Sequence, residues 1–272
     1  MQKSQRRYKA KKKTEKTKHE FQLRSKAVEH CFRKHSNGLG GLCGGSPDGE
    51  FLHGTMVQII NKLITETKLN DKDIFLDCGG GRSGPGITAS HITGCTSVSI
   101  EIEDGRHYDG VQRTLYLQDN NGKGWGGRIN HMPVLSDLMT LQTVDPSTLM
   151  YMFNCGFPPM LLRRLASLFN NSQTVQWLVF TQDRESPHEL GFHVENEPVY
   201  KSPSLRMRAN GNARTLLVYR KSTPVASHEK LLPVAEGPVA DAVKLVQRKA
   251  RFIKGMKTQL HKWLYSGKST RG

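Results

Sequence analysis

The chain has 272 residues, with 40 Lys/Arg against 24 Asp/Glu and a formal charge of +16. That length admits one domain with a real core plus additions, or two small domains. Five scattered cysteines without a C-x-x-C, and no apolar run near the ~20 residues of a membrane span, exclude a disulfide scaffold, a zinc ribbon and a spanning helix.

No signal-peptide core is present either, so the sequence reads as a reduced, intracellular protein without a metal site. The charge is uneven. Residues 1–34 hold thirteen Lys/Arg against three acids, a net of +10. Residues 241–272 hold nine against Asp241 alone, a net of +8, which leaves −2 for 35–240. A near-neutral body with two basic ends points to a polyanion, most simply nucleic acid. The plainer alternative is a solubilising tail or a nuclear import signal such as Lys9–Lys13.

In chain order, residues 1–34 form a basic extension, disordered over 1–20 until bound, with a short helix expected over Phe21–Phe32. The main α/β domain spans 35–223. It opens on the glycine-rich loop His35–Gly49, a connector or lid. Thr55–Thr67 places Met56, Ile59, Ile60, Leu63 and Ile64 on one helical face. Next comes the run Ile74-Phe75-Leu76-Asp77-Cys78-Gly79-Gly80-Gly81-Arg82-Ser83-Gly84, an apolar strand ending in an acid and breaking into a glycine turn. Thr88–Ile92 reads as a helix and Val98–Ile102 as a second strand. From Gly105 to Arg128 the chain turns polar, and a short helix followed by a long loop is expected.

Leu149–Phe153 is a buried strand ending in Asn154, Met160–Phe169 a helix, and Val175–Thr181 a further strand. Leu205–Arg208 and Leu216–Tyr219 read as a closing hairpin around Asn210-Gly211-Asn212. Residues 224–238 form a linker. Over 239–272, Val239, Val243, Val246, Ala250, Ile253, Leu260 and Trp263 line one stripe of a basic amphipathic helix. That helix could lie on phosphates or dock on its own domain.

The glycine turn carries the chemistry. Glycines let the backbone leave a strand tightly and approach a ligand closely. Glu101, about 20 residues on at the tip of the next strand, stands where a nucleoside ligand presents its ribose hydroxyls. A dinucleotide site wants G-x-G-x-x-G under a pyrophosphate, whereas Asp77 here puts negative charge at that approach. S-adenosylmethionine, with its cationic amino-acid end, suits the site better. NAD, or a tight turn with no ligand, remains the alternative.

The pattern resembles the E/D-x-G-x-G-x-G motif of class I methyltransferases, with Asp77, Gly79 and Gly81 in place and Ser83 at the third glycine. The β-α order then implies a class I (Rossmann-like) α/β fold, mostly parallel, finished by an antiparallel hairpin.

Three more positions matter. Glu50 precedes the first helix, where a loop could close on the cofactor. Asn154 lies at the end of the fourth strand, where open sheets place ligands, and Phe157 is close enough to wall a methyl-transfer channel. The plain readings are a helix-entry charge, a turn former and a core aromatic.

Together, Asp48-Gly49-Glu50, Asp77–Gly84, Glu101, and Asn154 with Phe157 resemble the histone-lysine methyltransferases named for disruption of telomeric silencing, over roughly Gly49–Lys221. The resemblance implies S-adenosylmethionine as cofactor, a lysine of a nucleosomal core histone as acceptor, no SET domain, basic ends on nucleosomal DNA, and a nuclear location. By it, Glu50, Asp77, Gly79, Gly81, Ser83 and Glu101 bind cofactor, and Asn154 and Phe157 line the acceptor channel. Departures are Asp48 for the family's tyrosine, Ser83 for glycine, a shorter segment after Asn154, and no adenine-contacting acid in Asn130-His131-Met132.

Two rival readings stand beside it. Asn154-Cys155-Gly156-Phe157 has the outline of the N-P-P-F motif of nucleic-acid amino-methyltransferases, with Pro158-Pro159 falling late. A non-catalytic chromatin-binding protein on a methyltransferase fold is the other.

Overall fold

Every residue of Ile74–Cys78 is buried, and this strand, β1, forms the middle of the sheet. A computed structural model describes Val28, Cys31 and residues 53–119, 129–181, 185–206 and 213–249. The expectations for the lid 35–49, for Glu50, for residues 1–20 and for 250–272 lie outside the described residues.

The elements follow as α1 (His53–Thr67), β1, α2 (Gly84–Thr93), β2 (Thr96–Glu101), α3 (Asp104–Asp119) and β3 (His131–Leu135). Then come β4 (Leu149–Met152), α4 (Pro159–Asn171), β5 (Trp177–Thr181), β6 (Tyr200–Lys201), β7 (Leu205–Arg206), β8 (Ala213–Arg214) and β9 (Leu216–Arg220). A single-turn α5 (His228–Leu231) precedes α6, described over 238–249. None of the helices described is long and apolar enough to cross a membrane.

Seven strands make one sheet in the order β3-β2-β1-β4-β5-β9-β6. The first five are parallel, and β9 runs antiparallel between β5 and β6. From β1 the chain winds to β2 and β3 on one side, then returns to build β4 and β5 on the other. The winding reverses between β1 and β4, and it is there that open α/β sheets bind ligands. This order defines a doubly wound, class I methyltransferase fold.

Strands β1, β2 and β4 are buried along their whole length because helices cover both faces, which is why they read as near-continuous apolar runs. On one face Met56, Ile59, Ile60 and Leu63 of α1 pack on Phe75, Tyr151, Val179 and Val218. On the other, Leu165 and Phe169 of α4 pack on Leu76, Met150 and Leu178. Each such side chain stabilises the fold by about 1.5–3 kcal/mol, more than the weak propensity of α1's own sequence could supply.

Several expectations change. The stretch after Gly105 is a 16-residue helix, not a short one. Its buried positions are Gly110, Arg113, Thr114 and Leu117, at helical spacing but of mixed polarity, so no apolar stripe announced it. Helix α2 starts at Gly84, four residues earlier than expected, with Pro85 in its first turn, where a missing N–H does no harm. Strand β3, implied by counting Leu149–Phe153 as the fourth strand, had no residues assigned to it from the sequence. It is a half-buried edge strand containing Pro133, which an edge tolerates.

The late hairpin is re-paired. Leu205 pairs with Arg214 in a separate two-stranded ladder, while β9 takes Tyr200 and Lys201 as its antiparallel partners in the main sheet. Residues 207–212 lie outside the described residues.

Helix α6 packs on the body as far as residue 249. Val239, Ala242 and Val243 join the core cluster of α4, and Lys244 Nζ donates to the Ala235 carbonyl at 2.7 Å. From the basic N-terminal stretch, Val28 and Cys31 are helical and fully buried against Ile87, Leu117 and Ile129.

Candidate active site

Directly after β1 the backbone turns through three left-handed residues, Gly79 (φ +69), Gly81 (φ +53) and Ser83 (φ +62). Gly79 has a second reason to be glycine. A Cβ there would lie 2.5 Å from Cζ and 2.9 Å from Cε1 of Phe157, so the tip of the Phe157 ring abuts the bare backbone. Ser83 is the N-cap of α2 without a side-chain cap, and its hydroxyl packs toward Gly110 of α3 rather than into the ligand space. The serine at the third glycine position therefore costs the turn some strain but does not block it.

Helix α3 braces this turn from behind. The Arg82 guanidinium meets the Asp109 carboxylate at 3.0 Å, and fully buried Arg113 donates from Nη1 to the Arg82 carbonyl at 3.2 Å. Cys31 Sγ in turn donates to the Arg113 carbonyl at 3.6 Å, which ties the N-terminal helical residue to the same support.

Beside the turn lies a cavity of about 310 Å³, opening over the β1/β4 switch point. Three carboxylates line it. Asp77, 1% exposed, accepts from Ser99 Oγ at 2.9 Å. Burial pushes its pKa up to about 7. The Ser99 hydroxyl and the Gly86 N–H pull against that shift, and nearby Glu101 adds to it. Glu101 is held rigidly: Oε2 accepts from the Gly81 N–H at 2.7 Å, and Oε1 from the N–H groups of Ile102 and Glu103 at 3.0 and 2.9 Å.

Asp137 is the third carboxylate. It follows β3 and accepts from the Met139 N–H at 2.8 Å. Asn130–Met132 carry no acid. The strand begins there, and Asp137 stands just beyond its far end, in the cavity wall.

The opposite wall is apolar, made by Met56, Phe153, Gly156, Phe157, Pro158 and Leu161. Asn154 lies beside this wall but does not line it. Its Oδ1 accepts from the Thr181 N–H at 2.8 Å, and its backbone carbonyl accepts from Gly156 and Phe157. It shapes the turn that carries Phe157. Of the residues singled out in the sequence, Asp77, Gly79, Gly81, Glu101 and Phe157 thus converge on one cavity. Ser83 and Asn154 support it from outside, and Glu50 lies outside the described residues. Asp137, Tyr151 and Met56 are lining residues not picked out as site residues from the sequence.

This donor set suits a nucleoside with a cationic tail. Glu101 sits at the second strand's tip for ribose hydroxyls, and Asp77 offers a carboxylate to an ammonium. A pyrophosphate would face three carboxylates. The two arginines at the rim are already engaged, Arg82 with Asp109 at 3.0 Å and Arg106 with Glu103 at 3.6 Å. The residues fit S-adenosylmethionine and do not fit a dinucleotide.

The strand order is that of the class I (Rossmann-like) methyltransferase fold, with the cavity at its switch point. No protein-family model matches the chain, and no curated protein matches it. Among solved structures, it is similar to an RNA methyltransferase from Salinibacter ruber in complex with S-adenosyl-L-homocysteine (15% identity, 61% of this chain and 91% of that one, TM-score 0.40). It is also similar to the magnesium protoporphyrin IX methyltransferase of Synechocystis with bound SAM (12%, 71% and 90%, TM-score 0.45). A third is the geranyl diphosphate C-methyltransferase of Streptomyces coelicolor, in complex with S-adenosyl-L-homocysteine (11%, 62% and 76%, TM-score 0.46). Those acceptors differ from one another, and at such identities they say nothing about the acceptor here.

Proposed function

We propose that the chain is an S-adenosylmethionine-dependent methyltransferase that acts on a lysine side chain of a nucleosomal core histone in the nucleus. The observation that carries the reading is the convergence of Asp77, the Gly79–Gly81 turn and Glu101 on a cavity whose far wall is apolar. When bound, the cofactor supplies an electrophilic methyl group, and such a transfer needs alignment more than acid–base help.

The protein's own part follows from its residues. Asp77 would hold the amino-acid end, Glu101 the ribose diol, and Asp137, the third carboxylate of the cavity, would accept from the adenine amino group. Phe153, Phe157, Pro158 and Leu161 exclude water from the acceptor side. An apolar channel favours a neutral amine over an ammonium, so a lysine could lose its proton there without a dedicated base. The basic ends, +10 over residues 1–34 and +8 over 241–272, would hold nucleosomal DNA.

Amino methylation of a nucleic acid is less well served. That reading needs the Asn154 side chain to face the ligand space, and Asn154 is absent from the cavity's lining, its oxygen turned to the Thr181 N–H.

Incubation with isotopically labelled S-adenosylmethionine and separate nucleosomes, free histones, and free DNA or RNA tests the assignment. Label in a core histone, strongest within nucleosomes, is expected. Label in nucleic acid alone would reverse the choice of acceptor.

A further inference from the structure

Tyr151 sits in β4 directly opposite Asp77 of β1, in register across the switch point, so both side chains project from the same face of the sheet. Its ring stacks on Phe75, with centroids 5.7 Å apart, and the residue is fully buried. A buried tyrosine normally finds a partner for its hydroxyl. Among the described residues the Tyr151 hydroxyl has none, and Tyr151 is a wall residue of the same cavity as Asp77. Asp77 itself is bonded to Ser99 on its other side. The switch point therefore holds one carboxylate and one phenol on cross-strand partners of the same sheet face, both in the wall of the ligand space.

We infer that Tyr151 and Asp77 form a two-point clamp for a primary ammonium, the α-amino group of the cofactor's amino-acid end. The inference rests on the cofactor reading above and adds to it a residue that the glycine-turn motif does not contain. An ammonium carries three N–H donors. One goes to Asp77 and one to the Tyr151 oxygen, whose own O–H remains to donate to a carboxylate. Burial, with the charges of Asp77 and Cys155 nearby, holds the phenol well above its usual pKa, so it stays neutral and keeps both capacities.

The clamp makes a demand on ligand chemistry that separates it from a merely structural tyrosine. S-adenosylhomocysteine and 5′-methylthioadenosine share the nucleoside and the thioether, but only the first carries the amino-acid end. Calorimetric titration of the full chain and its Tyr151→Phe variant with each ligand is the test, with thermal melting of both proteins to confirm an intact fold. Tyr151→Phe should weaken S-adenosylhomocysteine roughly ten-fold, the loss expected for a hydrogen bond to a charged group, and leave methylthioadenosine unchanged. Equal loss for both ligands, or no loss for S-adenosylhomocysteine, overturns the clamp. If the unaltered chain fails to bind S-adenosylhomocysteine at all, the cofactor reading falls and the clamp with it.

Discussion

The Gly81 N–H donates to the Glu101 carboxylate at 2.7 Å, so the glycine turn and the tip of β2 are bound to each other before any ligand arrives. The same carboxylate accepts from two further backbone N–H groups, at Ile102 and Glu103. Glu101 is thus both a ligand group and the post on which the turn hangs. Glu101→Ala should abolish binding of S-adenosylhomocysteine, a loss of at least about a hundred-fold, because ribose contacts and turn geometry go together. Glu101→Gln keeps one acceptor oxygen and should fall between. Unchanged affinity of the alanine variant in calorimetry would remove Glu101 from the site.

Gly79 and Phe157 are a matched pair. Gly79→Ala places a Cβ 2.5 Å from the Phe157 ring at a φ of +69, so both the ring and the backbone must shift. A cost of about 1–2 kcal/mol in stability is expected, together with at least ten-fold weaker cofactor binding. Combining it with Phe157→Leu should restore part of the stability, since the ring is relieved but the backbone strain is not. A double variant no more stable than Gly79→Ala alone would show that the ring contact is not the constraint.

Asp77 predicts two opposite pH effects. Its pKa in the fold is about 7, against an ordinary 3.8. A group raised in this way favours the fold most below the unfolded value, and that contribution is lost as pH rises through 7. Asp77→Asn should therefore raise the melting temperature most at pH 7 to 8, by an effect on the order of 4 kcal/mol, less at pH 5, and hardly at all below pH 4. Ligand binding runs the other way. An ammonium needs the ionised carboxylate, so affinity for S-adenosylhomocysteine should fall about ten-fold per pH unit below 7 and level off above it. The groups facing Asp77 are Ser99, the Gly86 N–H, Glu101 and Tyr151, with Cys78 its neighbour in β1 on the opposite face. Among them Tyr151 and Cys78 are held far above this range, so the slope belongs to Asp77, with Glu101 adding only repulsion. A flat binding profile from pH 5.5 to 8 would count against the ammonium contact.

What the sequence made legible is what local geometry sets. Asp77, Gly79, Gly81 and Glu101 stand at fixed offsets along a strand, a turn and the next strand, and the fold could not separate them. Phe157 followed because the end of β4 is marked by an apolar run breaking at Asn154. Asp137 was hidden by an edge strand with one face to solvent and a proline inside it, which leaves no period-2 pattern to read. Tyr151 was hidden differently. In the sequence it is one more apolar member of Leu149–Met152, and only the tertiary structure shows that its hydroxyl faces Asp77's side of the sheet without a partner among the described residues. Helix α3 was missed because its inner face is Gly110, Arg113 and Thr114. These residues are buried to brace the turn of Arg82 rather than to fill an apolar core.

Lys221 offers a test of the scaffold away from the site. It is 5% exposed, and its Nζ donates to the carbonyls of Phe169 and Ser172 at 2.8 and 2.6 Å, capping the C-terminal end of α4. The ammonium also lies 5.4 Å from the centroid of the Phe169 ring. Lys221→Met keeps most of the stem but leaves those carbonyls unpaired, and should cost about 1–3 kcal/mol. Denaturant unfolding measures this, and cofactor affinity should not change, since Lys221 does not line the cavity.

The basic N-terminal stretch separates steering from chemistry. Residues 1–20 carry nine Lys/Arg against Glu15 and Glu20, while the described residues that line the cavity all lie after 55. If these charges meet DNA phosphates, each contact contributes about 0.9 to the slope of log affinity against log salt. Deleting 1–20 should then weaken nucleosome binding and make that slope shallower by at least about 2. Affinity for S-adenosylhomocysteine should be unchanged, because Val28 and Cys31, which reach the brace of Arg113, are retained. Methylation of nucleosomes should fall with binding, whereas transfer to a free histone, which presents no DNA, should not. Equal nucleosome affinity with and without 1–20 across a salt series would assign the charge to solubility or import. A loss of transfer to free histone as well would place residues 1–20 at the acceptor channel rather than on DNA.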